Sequence, residues 1–329
     1  MIEIEYLGGP QIAELALADD EILDAVEGGL VASGRGETVI EPRMHLEPGV
    51  ADGWFNVLRG VVHGVAGVKV VGDFVDNYKS GLPSEMALLN LFDPATGRPL
   101  AVIDAAGITD MRTGAVTALG ARALAPERPR VLGHVGARGT AYWNVRLLDR
   151  LFDFEEIRVH SRRPESREAF ADRLSADLGK PVRATEDWKS CLADADVMVE
   201  ASRLPEPAPI FDPAWVKPGA LVVPYGTMSA LPLGFTRRFD AFFMDDLGQL
   251  GSGRFGALRP HIDAGEIGRD DFRAEIGEVL AGLKPGRKTP DETILFWHRG
   301  LSTSDIALGL KMLEKARAMG IETRLPYAG

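Results

Sequence analysis

The stretch Val131-Leu132-Gly133-His134-Val135-Gly136-Ala137-Arg138-Gly139-Thr140-Ala141 decides the fold. An apolar, partly β-branched run enters a tight glycine turn, and an amphipathic helical pattern follows it. This setting suits a dinucleotide pyrophosphate, because N–H groups at a helix N-terminus point at the phosphates and glycines let them approach closely. An ordinary strand–helix turn would share the pattern. We assign five residues to a phosphate-binding loop: Gly136, Ala137, Arg138, Gly139 and Thr140.

Arg138 departs from the usual fingerprint of this turn. Counting from Gly136, it stands where a second glycine is expected, and Gly139 follows one position later. Its side chain either obstructs the phosphate route or adds a cationic contact to it. The sequence leaves both alternatives open.

Strands and helices alternate on the carboxyl-terminal side of Pro129. The β-branched runs and amphipathic stretches are Val131–Val135, Thr140–Phe152, Ile157–His160, Glu165–Leu178, Val197–Ala201, Ala220–Pro224 and Phe239–Asp245. Such alternation predicts a parallel sheet with right-handed crossovers. The fold class is therefore α/β, with a Rossmann-type doubly wound parallel sheet.

The remainder of the chain predicts a second, α+β domain. Its patterns are a helix over Ile12–Ser33, strand-like residues 61–71, a hairpin at Asp93–Gly97, a helix capped by Thr109 or Asp110 that runs to Ala125, and a helix over Ser304–Met319. We expect the last helix to pack on the first domain, so that the Rossmann-type unit is an insertion. The predicted boundaries are residues 1–120 with 303–329, and residues 121–302.

The second predicted strand of the Rossmann-type unit bears on the choice of cofactor. Ile157–His160 continues into Ser161-Arg162-Arg163, where an NAD site commonly has an acidic residue for the ribose 2′-hydroxyl. No acidic residue stands there, and two arginines would suit a 2′-phosphate. The alternative is a pair of arginines on an exposed loop. We expect NADP(H) to be preferred over NAD(H).

Composition excludes several classes of function. The chain has 329 residues, 45% of them hydrophobic, and a formal net charge of −11, which argues against nucleic acid as a partner. No apolar run is long enough to span a membrane, and no signal pattern opens the sequence. The single Cys191 suits a reducing compartment, so we expect a cytoplasmic protein without a metal site.

The whole chain resembles the ornithine cyclodeaminase/mu-crystallin family. The matching stretches are Gly67–Val70, Gly81-Leu82-Pro83-Ser84, Leu91–Gly97, Ile108-Thr109-Asp110-Met111-Arg112-Thr113-Gly114-Ala115, the glycine turn, Lys217–Ala220, Asp245-Asp246, Gly282–Arg287 and Phe296 through Asp305-Ile306-Ala307. The Arg-Thr-Gly-Ala helix and the Gly-Leu-Pro turn are specific in combination, although each alone is weak.

This resemblance implies a homodimer whose first domain supplies the dimer contacts and the substrate site. It implies that Arg43 and Arg112 hold a substrate carboxylate, and that Lys69 lies beside the reacting carbon and nitrogen and acts with Arg112 in catalysis. A guanidinium fork suits a carboxylate, and a buried lysine can transfer a proton. The structural alternatives are a Lys69 that snorkels, an Arg43 on the surface and an Arg112 that pairs with Asp110 or Glu85.

We assign further cofactor contacts outside the glycine turn. They are Ser84, Arg112, Ser161, Arg162, Arg163, Ser202, Tyr225, Gly226, Met228 and His298. His298 is an auxiliary acid or a packed, non-catalytic histidine, and the sequence allows both readings.

Met228 departs from the cyclodeaminase pattern. That pattern has an aspartate here, which acts on the substrate amine, whereas a thioether cannot take up a proton. The leading hypothesis is therefore an NAD(P)-dependent oxidoreductase that reduces an imino acid (a ketimine) or oxidises a small amino acid. The alternatives are a cyclodeaminase-type lyase with bound NAD, which Met228 weakens, and a non-catalytic NADPH-dependent protein that binds a small ligand.

Overall fold

A computed structural model of the chain describes residues 2–252 and 256–328, apart from the side chain of Tyr78. The chain divides into two compact units, Met1–Arg112 with Gly300–Gly329 and Thr113–Arg299, which we call the first and second units. The sequence-based boundaries, after residues 120 and 302, divide the chain by function into a substrate-binding and a dinucleotide-binding domain. This functional division stays a prediction.

The elements alternate along much of the chain. The described strands are β1 (Ile2–Leu7), β2 (Val39–Leu46), β3 (Trp54–Val62), β4 (Val65–Asp73), β5 (Glu85–Phe92), β6 (Pro99–Asp104), β7 (Val131–Val135), β8 (Glu156–His160), β9 (Val182–Ala184), β10 (Val197–Glu200), β11 (Leu221–Pro224), β12 (Ala241–Met244), β13 (Phe272–Glu275), β14 (Ile294–Trp297) and β15 (Thr323–Ala328). The described α-helices are α1 (Gly9–Leu15), α2 (Asp19–Gly34), α3 (Ala106–Leu124), α4 (Ala141–Phe152), α5 (Pro164–Leu178), α6 (Trp188–Leu192), α7 (Arg259–Asp263), α8 (Ile276–Leu280) and α9 (Ser302–Met319).

The first unit contains a seven-stranded sheet in the order β15-β1-β6-β5-β4-β3-β2. β1 and β6 pair in parallel, and the other described pairs are antiparallel. Along β4 the buried residues alternate with half-buried ones, as expected for a sheet with one covered face. Helices α2 and α9 pack together, and α9 lies against β3, β4 and β5. The covered face therefore holds the core of this unit.

The second unit contains an eight-stranded sheet in the order β13-β12-β14-β11-β10-β7-β8-β9. Every described strand pair in it is parallel. Strands β10, β11 and β14 are buried along their whole length, which explains why they read as continuous apolar runs. The α/β fold class, with its Rossmann-type sheet and a second domain with a mixed sheet, is confirmed.

Three predicted elements of the first unit were wrong in detail. The helix over 12–33 is two helices, because Ala16 adopts a left-handed φ of 44° that ends α1 before acidic residues open α2. The strand-like residues 61–71 reverse direction at His63-Gly64, where both φ values are positive. Helix α3 begins at Ala106 rather than near Thr109, because Asp104 accepts a hydrogen bond from the Ala106 backbone N–H.

Within residues 2–252 and 256–328, no helix is both long enough and apolar enough to cross a membrane.

Candidate active site

Two buried cations of the first unit share one carboxylate oxygen. The Lys69 ammonium donates to Oδ1 of Asp305 at 2.5 Å and to the Thr109 hydroxyl at 3.0 Å. Arg112 donates from Nε to the same Oδ1 at 2.9 Å. Asp305 is fully buried, Lys69 is 1% exposed and Arg112 is 5% exposed. Charges at this depth persist only when they are paired, and here the pairing joins three separate segments of the chain.

Local structure explains why these side chains meet. Lys69 lies on the same, covered face of the sheet as Gly67 and Val71, because every second residue of a strand points to one face. From this face its long side chain reaches towards the helices. Asp305 lies in the first turn of α9, where the helix dipole favours a negative charge. The sequence allowed a structural ion pair of Arg112 with Asp110 or Glu85. In the structure the ion pair of Arg112 is with Asp305.

Arg43 joins this group from an irregular part of β2. The register of β2 against β3 shifts between Glu41 and Met44, and Arg43 donates from Nη2 to the Gly300 carbonyl at 3.3 Å. Its charge lowers the pKa of Lys69, which places the two cations near one another. The structure thus brings together all three residues that we assigned to substrate binding, namely Arg43, Lys69 and Arg112.

Lys69 titrates in an accessible range. Burial lowers the pKa of its ammonium to about 8, and the charges of Arg112 and Arg43 act in the same direction. The Asp305 carboxylate opposes this change by its charge and its hydrogen bond. A lysine with this pKa can give up and recover a proton near neutral pH, as a general acid–base group must.

The outer end of the Arg112 guanidinium remains available for an anion. Among the described residues, its side chain donates a hydrogen bond from Nε alone, to Asp305. Gly300 lies against the guanidinium, and a Cβ atom at that position would stand 1.8 Å from Nη1. The terminal nitrogens form the planar fork that grips a carboxylate at two points.

A second carboxyl group lies near these cations. Burial raises the pKa of Asp110 to about 6, with a further contribution from the charge of Glu85. The charges of Arg112 and Lys69 act in the opposite direction. Asp110 is thus close to this cluster, but Asp305 is the carboxylate that holds both cations.

The glycine turn of the second unit has the features that a pyrophosphate requires. It joins β7 to α4, and Gly136 has a φ of 115°, with the space for a Cβ atom filled by the Ala201 carbonyl at 2.7 Å. Thr140 makes no side-chain cap to α4, so the first N–H groups of this helix are not covered by its hydroxyl. Arg138 is exposed, so its side chain does not fill the loop.

A polar network connects this loop with the ends of neighbouring strands. The Tyr225 hydroxyl shares a hydrogen bond with Thr140 at 2.7 Å and accepts another from Asn144. Asn144 also contacts Nε2 of His134, whose Nδ1 lies 3.1 Å from the Gly136 carbonyl. Burial lowers the pKa of His134 to about 4, so the ring is neutral, donates to Gly136 and accepts from Asn144. His134 therefore has a structural role, in which it fixes the loop.

His298 is packed into the same network. Its ring stacks on Tyr225 with a centroid separation of 4.7 Å, and its Nε2 lies 2.9 Å from the Thr117 hydroxyl. Thr117 donates its hydrogen to the Thr113 carbonyl, so Nε2 of His298 must be the donor. The ring is 2% exposed. This geometry favours the packed role over that of an auxiliary acid.

Glu200 is a buried carboxyl group at the end of β10 that the sequence interpretation missed. Its Oε1 accepts hydrogen bonds from the Ser202 backbone and hydroxyl, and its Oε2 lies so near Gly226 that a Cβ atom there would be 2.6 Å away. Burial raises its pKa to about 7, against the effect of Ser202. Two predicted cofactor contacts, Ser202 and Gly226, thus surround a group that changes charge near neutral pH.

The remaining predicted cofactor residues are more dispersed. Ser161, Arg162 and Arg163 follow β8, and both arginines are exposed. Met228 follows β11 and is half-buried, and Ser84 precedes β5 in the first unit, where its carbonyl accepts from Phe74. The structure therefore groups the glycine turn with Ser202, Tyr225, Gly226 and His298, and leaves Ser84 in a different unit.

Asp305 and Glu200 share a sequence signal that could have identified them. Each is an acidic residue inside a run that is otherwise apolar or small, Ser-Asp-Ile-Ala-Leu and Val-Met-Val-Glu-Ala. Acidic side chains are rarely fully buried without a partner, so such a position indicates a paired or functional carboxylate.

Comparison with known proteins points in one direction. A sequence model of the ornithine cyclodeaminase/mu-crystallin family matches residues 10–320. Alanine dehydrogenase from Archaeoglobus fulgidus is 30% identical, over 95% of this chain and 96% of that protein. An archaeal alanine dehydrogenase dimer with bound NAD superposes with a TM-score of 0.90 at 28% identity and covers 99% of this chain and 100% of its own. Delta(1)-pyrroline-2-carboxylate reductase from Thermococcus litoralis, in complex with NADH and L-proline, gives a TM-score of 0.89 at 25% identity, with 97% and 99% coverage.

Proposed function

Because the chain belongs to the ornithine cyclodeaminase/mu-crystallin family, we propose that it is a nicotinamide-dependent oxidoreductase that reduces an imino acid or, in reverse, oxidises a small amino acid. One observation carries the proposal: Lys69 and Arg112 share Oδ1 of Asp305, and the Arg112 fork remains open. An acid and an anion receptor in one place are what the reduction of a C=N bond next to a carboxylate needs.

The chain's own residues have distinct tasks in this reaction. Arg112 and Arg43 bind the substrate carboxylate and fix the adjacent carbon, and the Lys69 ammonium gives a proton to the nitrogen. When bound, a reduced nicotinamide supplies the hydride to carbon. The C=N bond thus gains one hydride and one proton, and Lys69 recovers its proton from solvent.

The test is turnover with a panel of substrates. The protein is incubated with NADPH or NADH and with cyclic ketimines, or with 2-keto acids plus ammonia, and the absorbance of the reduced cofactor is followed. We expect loss of reduced cofactor with at least one imino acid. Release of ammonia from ornithine without net change of cofactor would instead support the lyase, and tight binding without turnover would support a binding protein.

We further propose that NADP(H) is preferred over NAD(H). Support comes from the exposed Arg162 and Arg163 after β8 and from the absence of an acidic residue at 161–163. Two solved relatives contain NAD or NADH, which shows the cofactor of those proteins. The proposed preference of this chain for NADP(H) depends on its two arginines.

Replacing Arg162 by alanine is expected to raise KM for NADPH about 10-fold and to leave KM for NADH unchanged, because one charge-assisted contact to the 2′-phosphate is lost. Arg128→Ala, which removes an exposed arginine from a loop before β7, is the matched control. Steady-state kinetics with both cofactors measure the effect. A wild-type protein that uses NADH as well as NADPH would contradict the preference.

We also propose a homodimer formed through the open face of the seven-stranded sheet, and a cytoplasmic location in keeping with the single, buried Cys191. The open face is apolar: Val70 pairs with both Val57 and Leu88, and Met86 and Leu88 are 45% and 48% exposed. A large exposed apolar patch on a sheet marks an interaction surface, and a second copy of this chain would cover it symmetrically.

The variant Leu88→Arg is expected to convert the dimer to a monomer, because a two-fold interface would bury this charge twice. Leu283→Arg, at a leucine of the second unit that is 61% exposed, is the matched control and should stay dimeric. Size-exclusion chromatography with light scattering gives the mass. A monomeric wild-type protein, or a dimeric Leu88→Arg variant, would rule out this interface.

A further inference from the structure

The carboxylate of Asp305 has two oxygens in different situations. Oδ1 accepts hydrogen bonds from Lys69 and Arg112. Oδ2 is buried and accepts no hydrogen bond from any residue in the described ranges. A buried carboxylate oxygen without a donor is unfavourable, and native proteins give such atoms a partner.

We propose that Oδ2 of Asp305 accepts an N–H of the substrate, and so makes the site selective for a nitrogen-bearing substrate over its oxygen analogue. This inference rests on the proposed function, which places the substrate carboxylate on the Arg112 fork. It names the substrate class more closely: imino and amino acids, and not the 2-keto acids or cyclic ethers of the same shape, whose oxygen has no hydrogen to donate.

Lys69 and Asp305, which are in contact through Oδ1, can act together on the substrate nitrogen. Lys69 gives its proton to the substrate nitrogen, which then carries an N–H and a positive charge. A carboxylate beside that charge stabilises it and makes the carbon a better hydride acceptor. The carbonyl oxygen of a keto acid has no hydrogen at this position and would face Oδ2 with its lone pairs, which is repulsive.

One carboxylate of the cyclodeaminase pattern is absent from this chain. The aspartate expected at position 228 for the cyclodeaminases is a methionine here. Two carboxyl groups lie near Lys69. Burial and the charge of Glu85 raise the pKa of Asp110. Asp305 alone among the described residues accepts hydrogen bonds from both Lys69 and Arg112. The charged groups that face Lys69 are therefore Asp305 from α9, Arg112 and Asp110 from α3, and Arg43 from β2.

The experiment compares ligands that differ in one atom. Dissociation constants are measured by tryptophan fluorescence, with and without saturating NADPH, for L-proline against (S)-tetrahydrofuran-2-carboxylate and for L-pipecolate against (S)-tetrahydropyran-2-carboxylate. The wild-type protein should bind each nitrogen ligand about 10- to 100-fold more tightly, as expected for a hydrogen bond to a charged acceptor. Equal binding of the two members of each pair would overturn the proposal.

Two variants of Asp305 and one control locate the effect. In Asp305→Asn the amide oxygen can keep Lys69 and Arg112 while an NH2 group replaces Oδ2, and in Asp305→Glu the carboxylate is displaced by one methylene. A cooperative thermal unfolding transition identifies the variants that are folded. In each folded variant, the ratio of the dissociation constants for the oxygen and nitrogen ligands should fall towards 1. Ser304→Ala, which changes a buried neighbour, should keep the wild-type ratio. A ratio that survives in a folded variant would exclude Asp305 as the acceptor.

The result also separates this inference from the proposed function. Turnover of imino acids with an unchanged ratio in Asp305→Asn would refute the role of Oδ2 and leave the reaction standing. A ratio that depends on Asp305 without any turnover would refute the reaction and leave the nitrogen-selective site standing.

Discussion

Replacing Lys69 by methionine is expected to lower kcat for imino acid reduction by about 10³-fold, which is the range for loss of a positioned general acid. Methionine has similar length and no proton to give. Arg112 still pairs with Asp305, so the carboxylate keeps one cation. Single-turnover measurement of cofactor oxidation reports the chemical step, and thermal unfolding checks that the variant is folded.

Lys69→Arg is the matched variant for this prediction. It keeps a positive charge beside Asp305 but holds its proton at every accessible pH. We expect it to bind a substrate carboxylate and to remain as slow as Lys69→Met. Recovery of activity in Lys69→Arg would show that the charge matters and proton transfer does not.

The pKa of Lys69 sets the direction of the pH dependence. Reduction uses the protonated ammonium, so kcat for reduction should be constant well below pH 8 and fall about tenfold per pH unit above it. Oxidation of the amino acid uses the neutral amine, so its kcat should rise through the same pH and level off above it. A reductive rate that increases between pH 8 and 9 would contradict the assignment.

The Rossmann-type unit was more predictable than the first unit. The predicted strand Val131–Val135 agrees with β7, because a short, largely apolar run before a glycine turn has few alternatives. The helix over 12–33 failed at Ala16, whose left-handed backbone no residue pattern indicates. Local chemistry can still help: the acidic residues 19–21 mark the true start of α2.

The candidate site was predictable as a set of cations but not as an arrangement. The resemblance supplied Lys69 and Arg112, yet their common partner Asp305 lies 236 and 193 residues away along the chain. Periodicity and propensity carry no information about a contact of that range. The same holds for Glu200, whose carboxylate packs against Gly226 in the loop that follows β11.

Gly136→Ala is expected to weaken binding of NADPH by about 10²-fold or more. A φ of 115° lies outside the left-handed region that L-residues can enter, and the new Cβ atom would be 2.7 Å from the Ala201 carbonyl. The obstructing atom belongs to the backbone that follows β10, which cannot move aside as the end of a flexible side chain could. The loop must therefore shift, and with it the N–H groups that face the phosphates.

Gly179→Ala is the matched control, because this glycine also has a positive φ, of 67°, but a Cβ atom there would meet nothing within 4 Å. It should lose about 1 kcal/mol of stability and no affinity for the cofactor. Energy transfer from the five tryptophans to bound NADPH measures both dissociation constants. If Gly136→Ala binds within threefold of wild type, the glycine serves the packing of β7 against Ala201 and the pyrophosphate lies elsewhere. If the two variants differ as expected, the backbone of this one turn is what holds the cofactor.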